Sequence, residues 1–174
     1  MKIERKSNKP NRKRKLGKVE TVKCAIYARC ASDHQSAASI ENQVRHCVAY
    51  AKKNRWKIVK EFAKPDVGVS GTTLKGRNAL LNLMKTAEHR PRLFDRVLIE
   101  DTSRLSRNLT DTLWLLGHFA SNGIHVVSVS QGLDFSDRSA RQLLVLHSLM
   151  DEHYLTALRE KFSTVSTGRP ERTE

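Results

Sequence analysis

Acidic residues are in deficit in this chain: 18 Asp and Glu stand against 32 Lys and Arg, a formal net charge of +14 over 174 residues. Cysteine is rarer, and the irregular placing of Cys24, Cys30 and Cys47 excludes a disulfide framework or a thiolate zinc site. Buried, reduced thiols of a cytoplasmic protein are the expectation. No apolar run approaches the roughly 20 residues that span a bilayer. The basic N-terminus lacks the apolar stretch of a secretory signal. There is no HExxH, no Walker loop and no Asp/Glu pair at metal-binding spacing. Any phosphate chemistry is therefore expected to be metal-independent, and no cofactor is expected. The Gly-rich turn of a doubly wound nucleotide binder is also missing after the first strand.

What is present is positive charge, in two portions. Residues 1–19 hold nine Lys or Arg and one Glu, so +8 of the +14 lies in this arm and +6 in the remainder. Both portions are basic, which favours a polyanionic partner, nucleic acid before membrane. Residues 1–20 have no hydrophobic period and read as a disordered arm. Such an arm can touch phosphates without reading sequence; a merely solvated arm is the alternative. Its run Asn11–Lys15 also has the look of a nuclear import signal.

Beyond the arm, apolar residues mark out alternating elements. Val22–Ala28 is a short, mostly apolar run that suits a buried strand. Ile40, Val44, Cys47, Val48 and Ala51 share one helical face, with Ser39 as the expected N-cap. Trp56–Phe62, Leu93–Ile99 and Ile124–Val129 read as three further strands. Pro65–Gly76 is rich in Gly, Ser and Thr without a period, and reads as a mobile loop. More helices are expected around Leu80–Ala87, over Leu109–Ala120 with Asn122-Gly123 as stop signal, and from about Ser139 to Phe162 behind a Ser136 or Asp137 cap. Strands alternating with helices at this spacing point to βαβ units and a parallel sheet. The last helix is apolar around most of its circumference through Leu143, Leu144, Val145 and Leu146. Either a second subunit covers its outer side or the chain buries it deeply.

Candidate chemistry gathers where strands end. Arg29 and Gln35 follow the first strand, Ser70 and Arg77 flank the glycine-rich loop, and Arg104 and Arg107 follow the third strand. A guanidinium is permanently charged, and its planar fork matches phosphate oxygens. Arg104 and Arg107 share one face if their segment turns helically. Four converging arginines would hold a phosphodiester and stabilise the charge of its transition state. Each alone reads as a surface residue; the combination points to a site.

In order and spacing, Tyr27-x-Arg29, Gln35, Ser39–Gln43, Asp66-x-Gly68–Gly71, Arg77 and Ser103–Asn108 resemble the catalytic domain of the serine recombinases, the resolvase/invertase family. The phrases Ser-Ile-Glu-Asn-Gln and Gly-Val-Ser-Gly are nearest in style to large serine recombinases and transposon resolvases. The resemblance spans about residues 22–162. It implies an α/β, resolvase-like three-layer fold: a mostly parallel sheet of four to five strands, flanked by helices and followed by a long C-terminal helix. Residues 1–20 would then be the arm, 21–136 the catalytic core, 137–162 an oligomerisation and DNA-crossing helix, and 163–174 a flexible tail without a C-terminal DNA-binding domain. The partners implied are double-stranded DNA and further copies of the chain, as a homodimer or a tetramer on DNA, in the cytoplasm at the nucleoid.

The activity implied is site-specific DNA recombination. A serine attacks the scissile phosphate, a 5′-phosphoserine link forms, and the strands are exchanged and resealed. Carried over residue by residue, Arg29, Arg77, Arg104 and Arg107 match the arginines that bind the phosphate and stabilise the transition state. Gln35 and Gln43 match supporting polar residues, and Ser70 a loop residue near the site. Glu152 and Arg159 fall near a motif on the long helix, where Arg159 would meet DNA. The nucleophile's position falls on Ala31, and a methyl group cannot attack phosphorus. Ser32 is the candidate substitute, although neighbouring side chains of an extended segment point oppositely. Ser103 stands where many members carry Asp. A cleavage-inactive catalytic domain is therefore expected, with a non-catalytic DNA-binding, dimerising regulator or a degenerate remnant as the alternative.

Overall fold

A computed structural model describes residues 21–31, 36–59 and 65–150; the expected basic arm, the expected tail and residues 151–162 of the expected long helix lie outside them. The chain alternates β1 (Lys23–Ile26), β2 (Arg29–Cys30), α1 (Ser36–Lys53), β3 (Lys57–Ile58), β4 (Asp66–Val67), α2 (Asn78–Ala87), β5 (Arg96–Ile99), α3 (Leu109–Ser121), β6 (His125–Ser128) and β7 (Leu133–Asp134). A further helix, α4, occupies residues 138–150. The main sheet has the order β3-β1-β5-β6-β7, parallel except for β7.

Side chains alternate across the strands, so the sheet buries both faces. Cys24, Ile26, Leu98 and Val127 meet Cys47 and Ala51 of α1 on one side. Ala25, Val97, Ile99 and Val126 meet Leu80 and Leu83 of α2 and Leu115 and Phe119 of α3 on the other. All three cysteines are buried, and none forms a disulfide. Burial pushes the Cys24 thiol up to about 11 and the Cys47 thiol to about 12, so both stay protonated at neutral pH.

The structure departs from the sequence expectations at four places. The first strand does not run unbroken to Ala28. Tyr27 N still donates to Leu98 O, but Ala28 O accepts from Asp66 N, and Arg29–Cys30 pairs with Asp66–Val67 in a separate two-stranded sheet. The chain changes partner because Arg29 needs carbonyl acceptors that the apolar faces of the main sheet do not supply. For the same reason the glycine-rich loop contains a strand, β4. Helix α1 begins at Ser36 rather than after Ser39: Ala37 and Ala38 favour another turn, and Ser39 Oγ is free to accept from Gln43 Nε2 at 3.3 Å. Strand β5 starts at Arg96, not Leu93, which is left exposed. At α4, Asp137 is the cap, accepting from Ser139 N at 3.1 Å.

Helix α4 settles half of its own ambiguity. Ala140 and Leu144 are buried against the body, whereas Leu143 (43%), Leu146 (53%), Leu149 (47%) and Met150 (61%) remain exposed. Among the described residues, nothing covers that side.

Candidate active site at the carboxyl ends of the strands

Three segments meet where the parallel strands end: residues 27–31 beyond β1, the β4 loop through Arg77, and residues 100–108 beyond β5. Arg29 is 1% exposed. Its Nε donates to Arg104 O at 3.3 Å, Nη1 to Val69 O at 2.9 Å and Nη2 to Ser103 O at 3.0 Å. Gln43 brackets the same residue's peptide, accepting from Arg29 N at 3.2 Å and donating to Arg29 O at 3.1 Å. Gly71 leaves room for this guanidinium, because a Cβ there would lie 2.5 Å from Arg29 Nη2.

Arg77 is fully buried, with no exposed surface. Its Nε and Nη2 donate to the Tyr27 hydroxyl at 3.2 and 2.8 Å, Nη2 also to Arg104 O at 2.7 Å, and Nη1 to Leu105 O. Burial pushes the Tyr27 phenol well up, with Arg77 opposing and Asp66 adding, so the hydroxyl keeps its proton and donates to Asp66 Oδ2 at 2.9 Å. Asp66 in turn caps α2, accepting from Ala79 N at 2.8 Å and Leu80 N at 3.2 Å. One carboxylate thus ties the helix start, the phenol and the buried arginine together.

Arg104 is half-buried and grips Asp101 Oδ2 through Nε (3.2 Å) and Nη2 (3.1 Å), while Nη1 reaches Arg29 O at 3.2 Å. Asp101 also caps the short 3-10 turn Thr102–Arg104 through Ser103 N at 2.8 Å. That turn stops before Arg107, so Arg104 and Arg107 do not share a helical face. Arg107 is exposed, its main-chain N donating to Gly71 O at 3.2 Å. The four arginines nevertheless gather around one turn: Arg29 and Arg77 both donate to Arg104 O, Arg104 reaches Arg29 O, and the Arg107 main chain bonds Gly71, which abuts the Arg29 guanidinium. Arg29 has its pKa lowered first by burial and then by the charge of Arg77, with Arg104 and Arg107 adding to the effect. An arginine stays charged through such a shift, so the cluster is a concentrated positive site.

The model of the family described as "Resolvase, N terminal domain" matches residues 24–167, which contain all four arginines. This chain belongs to the resolvase family. Its fold is similar to the N-terminal catalytic domain of TP901-1 integrase, with a TM-score of 0.61 and 29% identity over 78% of this chain and 98% of that one. A resolvase family site-specific recombinase from Streptococcus pneumoniae has the same fold at a TM-score of 0.62, with 23% identity over 86% of this chain and 100% of that one. The C-terminal catalytic domain of ISC1926 TnpA, an IS607-like serine recombinase, follows at 0.51, with 27% identity over 62% of this chain and 69% of that one. No curated protein matches the sequence.

Within this resolvase-family domain, Arg29, Gln43, Arg77 and Arg104 come together, with Arg107 on the rim of the same cluster. Ala31 is exposed directly after β2. Ser70 is one residue from the Gly71 pocket, but its hydroxyl pairs with Thr72 Oγ1 at 2.8 Å rather than with an arginine. Ser32, Gln35, Glu152 and Arg159 lie outside the described residues. Three contributors were not singled out from the sequence: Asp66 as a helix cap, Asp101 as the Arg104 partner, and Ser106, whose Oγ donates to Gly71 O at 3.1 Å. Arg107 is exposed to solvent, whereas Arg104 is half-buried and paired with Asp101. Arg29 and Arg77 are spent on the main-chain carbonyls of residues 69 and 103–105, so an incoming phosphate reaches them only by replacing those acceptors.

Proposed function

We propose that this resolvase-family domain binds duplex DNA and holds a backbone phosphate at the Arg29, Arg77, Arg104 and Arg107 cluster without cleaving it. One observation carries the reading: the arginine cluster is intact while the residue at the nucleophile position, Ala31, has no hydroxyl. In the family reaction a serine Oγ–P bond forms, the P–O3′ bond breaks and the 3′-oxygen takes a proton. The arginines here can neutralise the phosphate oxygens through that change, but nothing at position 31 can begin it. The exposed leucines of α4 support a homodimer, with a tetramer on DNA as its further assembly.

The unchanged chain is expected to shift duplex DNA in a gel and to leave no adduct that survives detergent. A phosphoserine peptide mapped to Ser32 would overturn the cleavage-inactive reading. Absence of any DNA binding would overturn the reading as a whole. Sedimentation is expected to give a dimer that dissociates when Leu146 and Leu149 are replaced by Gln; a monomer at every accessible concentration would refute the dimer.

A further inference from the structure

The end of the sheet opposite the arginine cluster carries a second concentration of positive charge. Because β3, β1, β5 and β6 are parallel, their first residues line one edge, and there Lys57, Lys23 and Arg96 stand on successive strands. The loops entering those strands add Arg55 and Arg92, both exposed. Among the described residues, the carboxylates at this end are engaged. Asp95 Oδ2 accepts from Lys23 N at 2.9 Å, Asp134 pairs with Arg96 Nη1 at 2.7 Å, and Glu88 stands 3.8 Å from His118.

Helix ends explain part of this charge. Lys52 and Lys53 close α1 and Lys85 closes α2, where cations offset the negative end of the helix dipole. Lys23 and Lys57 have no such explanation, Arg55 shares it only in part by following α1, and two of the placements work against stability. Lys23 and Lys57 are register partners on adjacent strands, a like-charge pair that weakens a sheet. Arg55 sits at φ 58, in the left-handed region just beyond α1, where glycine is the unstrained choice. Among the described residues, none of these three side chains has an ion-pair partner. Charge held at a stability cost, unpaired and on an edge, points to an anionic partner.

We propose that this edge, centred on Lys23, Arg55 and Lys57, is a second, sequence-independent contact for the backbone of duplex DNA. The inference rests on the reading of the chain as a DNA-binding domain. Neighbouring strands are about 4.8 Å apart, so the cations form a short flat row rather than a pocket, which suits a phosphate backbone. The row faces away from the arginine cluster, so it takes a second segment of duplex rather than the phosphate held at that cluster.

The test uses the full chain and a duplex of arbitrary sequence, with affinity measured by anisotropy across a salt series. The Arg55→Gly/Lys57→Gln variant is expected to bind about tenfold more weakly, with the salt slope reduced by about 2, since each lost phosphate contact removes about 0.9. The same variant is expected to melt at a higher temperature, because it relieves strain and repulsion, so weaker binding is not a sign of poor folding. Arg45→Gln, which removes one charge from α1 away from this edge, sets the effect of net charge alone. Unchanged affinity and slope in the edge variant would overturn the proposal, as would a loss per charge no larger than that of Arg45→Gln. Retained duplex binding with lost binding of polyglutamate would reassign the edge to an acidic protein segment and also overturn it. Covalent trapping at position 31 does not enter this assay, so failure here and failure of the cleavage-site reading are distinguishable.

Discussion

A serine placed at position 31 is expected to turn this domain from one that leaves DNA intact into one that becomes covalently attached to it. Ala31 is exposed directly after β2, two residues beyond Arg29, whose peptide is bracketed by Gln43. Ala31→Ser adds one oxygen there without adding a branch to the side chain, so little rearrangement is needed. The rest of the proposed site is already assembled as a cluster of guanidiniums able to take up charge on phosphorus. Incubation with supercoiled DNA carrying a recombination site should yield a detergent-resistant adduct, with phosphoserine mapped to residue 31. Removing one transition-state donor costs about 10²–10³-fold in comparable electrostatic sites. Ala31→Ser combined with Arg104→Ala should therefore form adduct at least about 10²-fold more slowly. No adduct from Ala31→Ser, under conditions where binding is demonstrated, would leave only the DNA-binding reading.

Arg77→Ala is expected to be among the most destabilising single changes in the domain. The side chain has no exposed surface, and its loss leaves the Tyr27 hydroxyl and the carbonyls of Arg104 and Leu105 without their donor. Breaking a buried charged network of this kind costs about 3–5 kcal/mol. For a domain of this size that is a fall of roughly 10 °C in melting temperature. Arg107→Ala should move the melting temperature little, because surface changes stay within about 0.5 kcal/mol, while still weakening DNA binding. Thermal unfolding of the two variants side by side checks both statements. A loss below about 1 kcal/mol for Arg77→Ala would mean that the turn at residues 103–105 is held by something else. The contrast also divides the arginines by setting: Arg77 and Arg29 hold the turns of the site together, and Arg107 is exposed on its rim.

Those two settings were not separable from the sequence. Arg29, Arg77, Arg104 and Arg107 are the same residue type with the same phosphate chemistry, and each lies near a strand end or loop. Local pattern did place them there. The helical period of α1, α2 and α3 and the short apolar runs between them are properties of neighbouring residues, so the α/β alternation and the parallel sheet were legible. Boundaries were less so where a residue's partner is remote, as with Ser39, passed over as a cap by a helix that begins at Ser36.

The sequence by itself determined the class of fold, the arginines at the ends of the strands, the family and the alanine at position 31. Each of these depends on residue identity, or on spacing over a few turns. The tertiary structure decided which arginines are buried, that Asp66 caps α2 while accepting from Tyr27, and that Gly71 makes room for a guanidinium. Those contacts join residues far apart in the chain: 75 positions for Arg29 and Arg104, 50 for Arg77 and Tyr27. A buried guanidinium takes whichever acceptors the folded main chain brings to it, and only the closed fold sets which carbonyls those are.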